Sequence, residues 1–278
     1  MAQNLATKFS PKVDERFSQV SLTEVAVNND YDWNGVNSIN VYSVDVAPMQ
    51  NYSRTGAAGV DRYGTLFDAG TTKQVLPLAR DRAFNTAIDR RNNDESQNVL
   101  EAGKWLARQL REVVVPEIDA YRLAAMTTAA TTNSKSLNTG ATTANNAYSN
   151  FLALQESISD DMVPTVGRVA FMTGAYYNFL KQGNFVLDSN DAYGDRKSGK
   201  LGNVDGNKIV VVPSGLMPAN TDLIITHPSA TVGPKVLSDY ITHKNAPGIN
   251  GWKIEGRIVY DAFILANKVD AIAVHKTA

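Results

Sequence analysis

The sequence predicts an α+β protein organised along one long helix, and three observations carry that prediction. A helical pattern runs from Asp94 to about Ala130. Alternating apolar and polar residues precede it over 39–46 and 76–88 and return at 252–266. Between helix and returning strand, the order is helix, strand, helix, strand, strand, as in a compact α/β unit.

The helix starts at a capping box, with Asp94 placed to accept from early backbone N–H groups and Gln97 placed to reach back. Val99, Ala102, Leu106, Leu110, Val113, Val114, Tyr121, Ala124 and Ala125 recur at three- and four-residue steps and define an apolar face. Lys104, Arg108, Arg111, Glu112 and Asp119 fall mostly opposite. Glu101 with Lys104 and Arg108 with Glu112 are helix-spaced ion pairs worth about 0.2–0.5 kcal/mol each, so packing must hold this helix. Pro116 removes one backbone donor and crowds the carbonyl of Glu112, which predicts a kink. At 1.5 Å per residue the helix spans roughly 50 Å, long for one compact domain, and this implies an elongated molecule.

Upstream, residues 1–36 are polar with scattered anchors such as Phe9, Phe17 and Trp33, and Ser10-Pro11 suits the start of a short helix to about Gln19. Ile39, Val41, Tyr42, Val44 and Val46 predict one strand, and Leu76 to Ile88 predicts its return. Between them lies a tip rich in Gly, Tyr and Arg, with Arg54, Arg62, Tyr63, Phe67 and Lys73. An isolated hairpin this long is marginal in water. The first third of the chain therefore needs apolar surface from elsewhere, and the simplest source is another copy of the same protein.

Downstream, Phe151 to Met162 fits an amphipathic helix and Val166 to Met172 a strand. Ala175 to Gln182 is a short helix closed by Gly183. The apolar run 209–212 predicts a strand buried on both faces within a mixed sheet. Leu223 to Ile225 is another strand, and Lys268 to Lys276 the last.

Of the 278 residues, 43% are hydrophobic, enough for a real core, and 27 basic against 28 acidic side chains leave a net charge of −1. No global field draws the chain to nucleic acid or a membrane. It has no cysteine, which excludes disulfides, thiolate catalysis and cysteine-bound zinc. The N-terminal stretch lacks the apolar run of a secretory signal, and a cytosolic product is expected.

No catalytic constellation emerges. The three histidines, His227, His243 and His275, lack a zinc spacing. Asp188 to Asp195 has a misplaced glycine for a calcium loop and no closing glutamate, and Asp160-Asp161 points two carboxylates about 100° apart on a helix. No metal or cofactor is expected. Arg80, Arg82, Arg90 and Arg91 with Lys104, Arg108 and Arg111 make one region basic. Near-neutral net charge favours ion pairs to a neighbouring copy there over phosphate contact.

Several stretches carry a resemblance. Lys12-Val-Asp-Glu-Arg-Phe17, Asp30-Tyr-Asp-Trp33 with Gly35, Ile39-Asn-Val-Tyr42, Tyr52-Ser-Arg-Thr-Gly56 with Arg62-Tyr-Gly64, and Leu106 through Arg122 resemble the major capsid proteins of tailed bacteriophages. These share the Hong Kong 97-type fold. The resemblance covers most of the chain and is strongest over 12–123. It implies an N-terminal arm (1–36), an extended loop (37–91), a peripheral domain with the spine helix (92–133 and 251–266) and an axial domain (134–250 and 267–278). It also implies a structural protein of the virion, not an enzyme. The resemblance further implies that the subunit self-assembles through hexamers and pentamers into an icosahedral head in the bacterial host's cytoplasm and encloses double-stranded DNA. Implied partners are a separate scaffolding protein, because the arm is short, together with portal and decoration proteins; no membrane is involved. Inter-subunit contacts would come from Phe9, Phe17, Trp33, Arg54, Arg62, Tyr63, Phe67, Lys73, Arg80 and Arg82. Lys73 is the nearest candidate for the crosslinking lysine of some relatives, but no matching motif surrounds it. Two other readings remain: a nanocompartment shell of the same fold, and a cytosolic α/β enzyme using Asp188, Asp191 or His227 in the 164–250 unit.

Overall fold

The computed structural model describes residues 21–28, 30–31, 33, 38–55, 62–95, 101–182 and 202–277. Phe9, Phe17, Asp188, Asp191 and the helix expected over 10–19 lie outside them.

The long helix is present but is not one uniform rod. Helix α1 (Arg90–Glu95) contains Asp94 in its last turn, so that residue is not the cap expected of it. Helix α2 (Ala102–Gln109) passes into a π turn, Leu110–Val114, and then into α3 (Val115–Thr132). The Val115 N–H reaches back to the Leu110 carbonyl, five residues earlier. Pro116 explains the wider turn: it has no N–H to donate, and its ring would crowd the Glu112 carbonyl in a tight ladder. The extra residue rotates everything downstream by about 100°. Val114, Ile118, Leu123, Met126 and Ala130 are therefore the buried apolar residues, while Val113 and Ala124 face out. Asp119, expected on the solvent side, is buried.

The two ends of this spine serve different sheets. At the N-terminal end, β10 (Lys235–Lys244), β11 (Gly251–Tyr260) and β3 (Arg80–Asp89) form an antiparallel sheet in the order β10-β11-β3. Val114 and Ile118 pack on Ile258 and Tyr260 of β11, the expected pairing of helix and returning strand. That strand stops at Tyr260 rather than 266, and β10 is an element whose mixed alternation gave no period-2 signal. Phe84 and Tyr240 stack at 6.1 Å across Gly256 of β11. A Cβ there would overlap the Phe84 ring and lie 2.8 Å from Tyr240 Cδ1. Gly256→Ala is expected to lower subunit stability by about 1–2 kcal/mol through overpacking, readable in urea unfolding as a lower midpoint at unchanged slope.

At the C-terminal end, α3 covers one face of a six-stranded mixed sheet ordered β4-β13-β8-β5-β7-β6. These strands are β4 (Ser136–Asn138), β5 (Val169–Thr173), β6 (Asn203–Val204), β7 (Asn207–Val212), β8 (Thr221–Thr226) and β13 (Ile272–Lys276). Leu123, Met126 and Ala130 meet Val169, Phe171, Ile224, Ile272 and Val274. The alternate residues Ala170, Met172, Leu223, Ile225 and Ala273 point to the other face. There they meet Phe151, Leu154 and Ile158 of α4 (Ala147–Asp160) with Tyr176 and Leu180 of α5 (Gly174–Gln182). The fully buried central strands are β5 and β8. The 209–212 run is only partly covered, because β7 is flanked by the two-residue β6.

The first predicted hairpin is divided. Strand β1 (Ser38–Val44) pairs antiparallel with β2 (Thr71–Pro77), from Ser38 opposite Pro77 to Val44 opposite Thr71. The chain then leaves the ribbon through Leu78-Ala79 and enters the other sheet as β3. The alternation over 76–88 thus belongs to two strands in two sheets. A short pair of β9 (Thr231–Val232) with β12 (Phe263–Ile264) lies beneath the ribbon.

Candidate assembly interface

The ribbon's two faces differ in chemistry because strand residues alternate. Ile39, Val41 and Leu76 turn inward and join Trp33, Val232, Phe263 and Leu265 in a small core. Trp33 stacks on Phe263 with centroids 5.5 Å apart and 11° between planes. The Gln74 amide clamps the base from both ends: its Nε2 donates to the Ile264 carbonyl at 3.0 Å, and its Oε1 accepts from the Ala266 N–H at 2.9 Å. At the hinge, buried Asp261 accepts from the Ala79 N–H at 2.7 Å and from the Tyr121 hydroxyl at 2.9 Å. The base is therefore supported by its own chain. The expectation that the whole hairpin needs a neighbour does not hold for its base.

That outer half leaves the body with little apolar cover. Among the described residues, Met49 is 98%, Leu66 87%, Val46 85% and Tyr63 80% exposed, and Phe67 46%. The tip is nevertheless shaped. Gln50 donates to the Thr65 carbonyl at 2.9 Å and accepts from its N–H at 2.6 Å, Ser53 N–H donates to Arg62 O, and Tyr52 meets Tyr63 edge-on at 5.1 Å. Gly64, with φ +85°, makes the turn beneath Gln50. An exposed apolar surface on a protruding arm is suited to burial against another protein surface rather than to chemistry on a small molecule.

The residues expected at interfaces divide accordingly. Arg54, Arg62, Tyr63, Phe67 and Lys73 lie on the outer hairpin; Arg54, Tyr63 and Phe67 are all exposed. Trp33 is buried in its own chain. Arg82 donates to Glu117 at 2.7 Å, and Arg80 sits 4.5 Å above the Tyr121 ring. The Glu117 carboxylate also accepts from Tyr260, whose phenol is pushed up to about 12 by burial and by that hydrogen bond. Arg91–Glu95, Lys104–Glu101 and Arg108–Glu112 pair at 2.8, 3.0 and 2.7 Å. The basic stretch is thus neutralised mainly within the chain. Three of these carboxylates, Glu95, Glu101 and Glu112, are helix-spaced from their partners.

Two polar clusters lay beyond the sequence reading. The segment Ser21–Ala26, including a turn of 3-10 helix at Thr23–Ala26, straps across α3. Asp119 accepts from Ser21 Oγ at 2.8 Å, Leu22 N–H at 2.9 Å and Thr23 Oγ1 at 2.6 Å. Buried Arg122 donates to Thr23 Oγ1, Glu24 and the Gly233 carbonyl. Burial pushes the Glu24 carboxyl up, but hydrogen bonds and charge from Arg122 and Lys235 outweigh it and hold the group below the usual carboxylate range. The strap gains this contribution above the ordinary glutamate pKa and loses it as pH falls through the lowered value.

The second cluster is His275, which lies 2.5 Å from Asp222 through Nδ1 and 2.6 Å from Thr139 Oγ1 through Nε2. The order resembles a hydrolytic triad, but the ring is fully buried and the Asn150 amide also meets Nε2 at 3.1 Å. Its role is to tie β13 to β8, to α4 and to the segment before that helix. Asp222 and His275 are 53 residues apart, so no sequence motif marks the pair. Among the described residues no group of three or more His, Asp or Glu is arranged to hold a metal.

No protein-family model and no curated protein matches the sequence. Solved structures match over nearly the whole chain. A structure from Mycobacterium phage Che8 aligns at TM-score 0.73 with 16% identity, covering 100% of this chain and 98% of that one. The capsid structure of cyanophage P-SCSP1u gives 0.74 and 14%, covering 99% and 93%. The mature capsid of bacteriophage PhiM1 gives 0.70 and 12%, covering 98% and 91%. At these identities the likeness establishes the fold: the chain has the Hong Kong 97-type architecture of phage capsids.

Proposed function

We propose that this chain is the major capsid subunit of a tailed bacteriophage, a structural protein and not an enzyme, which self-assembles into an icosahedral shell around double-stranded DNA. The observation that carries the reading is the outer hairpin, an arm with exposed apolar side chains on a chain of capsid fold. Shell closure suits such a surface, because many modest contacts add up through multivalency. Arm residues 1–36, the extended loop 37–91, the peripheral parts 92–133 and 251–266, and the axial parts 134–250 and 267–278 are its working units. Packaged DNA, a separate scaffolding protein, portal and decoration proteins are its partners, with assembly in the host cytoplasm and residence in the virion.

Electron microscopy of the purified protein, alone and with scaffold, is the direct test. Closed particles are expected, and small globular particles alone under both conditions at high concentration would refute the reading. Limited proteolysis is expected to cut free subunits between Asn51 and Gly70 and to spare this tip in particles. Equal cleavage in both states would remove the hairpin from the interface.

A further inference from the structure

One member of the buried histidine cluster stands at the surface. Strands β8 and β13 shift register between His275 and Lys276: Leu223 lies opposite His275 and Thr221 opposite Lys276, so Asp222 is the extra residue of a bulge. A bulge re-aims a side chain, and this one turns the Asp222 carboxylate onto His275 Nδ1 at 2.5 Å. The second carboxylate oxygen accepts from the Thr142 hydroxyl, which fixes the group from its other side. With a carboxylate on Nδ1, that nitrogen carries the ring proton and Nε2 is left with a lone pair. Two donors face that lone pair, the Thr139 hydroxyl at 2.6 Å and the Asn150 amide at 3.1 Å, and the shorter contact is the stronger. His275 is fully buried, whereas Thr139 is exposed.

We propose that Thr139 is a site of covalent acylation, its hydroxyl activated by His275 and Asp222 toward small activated acyl groups, esters or thioesters. The inference goes beyond the shell reading and needs no second subunit. A hydroxyl is a weak nucleophile until an adjacent base takes its proton, and the arrangement that does so is nucleophile, base and a third group orienting the base. Burial of the ring does not prevent this, because only the proton crosses the 2.6 Å contact while the acyl carbon stays outside. Approach is open: a Cβ built on Gly140, whose φ is +77°, would meet nothing within 4 Å. Among the described residues the Gly140 and Ala141 N–H groups have no acceptor, and the N–H directly after a nucleophile is a common oxyanion donor. In the step itself, Thr139 Oγ1 bonds the acyl carbon and the bond from that carbon to the leaving oxygen or sulfur breaks. The hydroxyl proton passes to His275 Nε2 and on to the leaving group. The Asn150 amide still faces Nε2 in the adduct and competes with water there, so the ester persists. One hydroxyl acylated once makes a modified structural protein, not an enzyme.

The test incubates the full chain with p-nitrophenyl acetate at neutral pH and locates acetyl groups by peptide mass spectrometry, before and after hydroxylamine, which removes esters and leaves acetylated lysines. Thr143 is the internal standard, an exposed threonine of the same loop with no histidine bonded to its hydroxyl. A hydroxylamine-labile acetyl group is expected on Thr139, formed roughly 100-fold faster than on Thr143. Thr139→Ser is expected to keep the adduct. Asp222→Asn, which frees the ring to hold its proton on Nε2, is expected to slow Thr139 to the Thr143 rate in subunits shown by circular dichroism to be folded. Equal rates at Thr139 and Thr143 in the wild-type chain would overturn the inference, and so would undiminished labelling of Thr139 in folded Asp222→Asn. Should Asp222→Asn fail to fold, the comparison of two threonines within one wild-type chain still decides.

Discussion

Asp119→Ala lowers the melting temperature of the free subunit by roughly 6–12 °C, the shift expected for a loss of about 3 kcal/mol in a chain of this size. Three donors, Ser21 Oγ, Leu22 N–H and Thr23 Oγ1, converge on this carboxylate at 2.6–2.9 Å. Removing it leaves the donors unpaired under the strap, each costing about 1–3 kcal/mol if it stays buried. The strap can lift and rehydrate them, which caps the loss but uncovers Arg122, itself only 1% exposed. Asp119→Asn keeps one acceptor oxygen and loses less. Thermal unfolding followed by circular dichroism, with proteolysis near 21–28 as a probe of strap release, distinguishes these cases. An unchanged melting temperature in Asp119→Ala would show that the strap contributes nothing to the subunit.

The double variant Tyr63→Ser with Phe67→Ser abolishes particles while leaving the subunit's stability within about 1 kcal/mol of wild type. Both rings are on the outer hairpin and far from the packed cores. Their loss removes about 1–2 kcal/mol of apolar burial at each contact, and a shell repeats that contact in every subunit. Electron microscopy and thermal melts on the same preparation read the two effects separately. Intact particles with a depressed melting temperature would place the rings in the subunit's own core instead.

The architecture was legible where one period extended over many residues. The spine, the returning strand and the α/β unit all came from such patterns, and the strand-spine packing of Ile258 on Val114 followed from them. What stayed hidden was set by single residues or by distant pairs. One extra residue in a π turn moved Asp119 from the expected solvent face into a buried network. Leu78-Ala79 broke an apparently continuous alternation because Asp261, 182 residues away, holds the Ala79 N–H. The base of the hairpin found its support in Trp33, Val232 and Leu265, three residues that no local pattern brings together. At the assembly surface, the tip aromatics were readable because they sit outside any apolar period. The strap's apolar anchors showed that it must lie on something, but not its partners, since Asp119 and Arg122 look solvated on a helix until both are buried.

The π turn also sets what kind of change the spine tolerates. Deleting one residue within Leu110–Val114 would restore regular α-helical winding but turn α2 by about 100° relative to α3, which grips both sheets through Ile118 and Leu123. With α3 held by the strap and the axial sheet, Trp105 of α2 would swing away from Phe84 of β3. Insertion of one residue would err by the same angle in the other direction. Point substitutions there alter only packing, so the length of this segment is constrained more tightly than its composition. The helix behaves as a keyed shaft whose angular phase, rather than its bend, sets how α2 meets the sheet that α3 already grips.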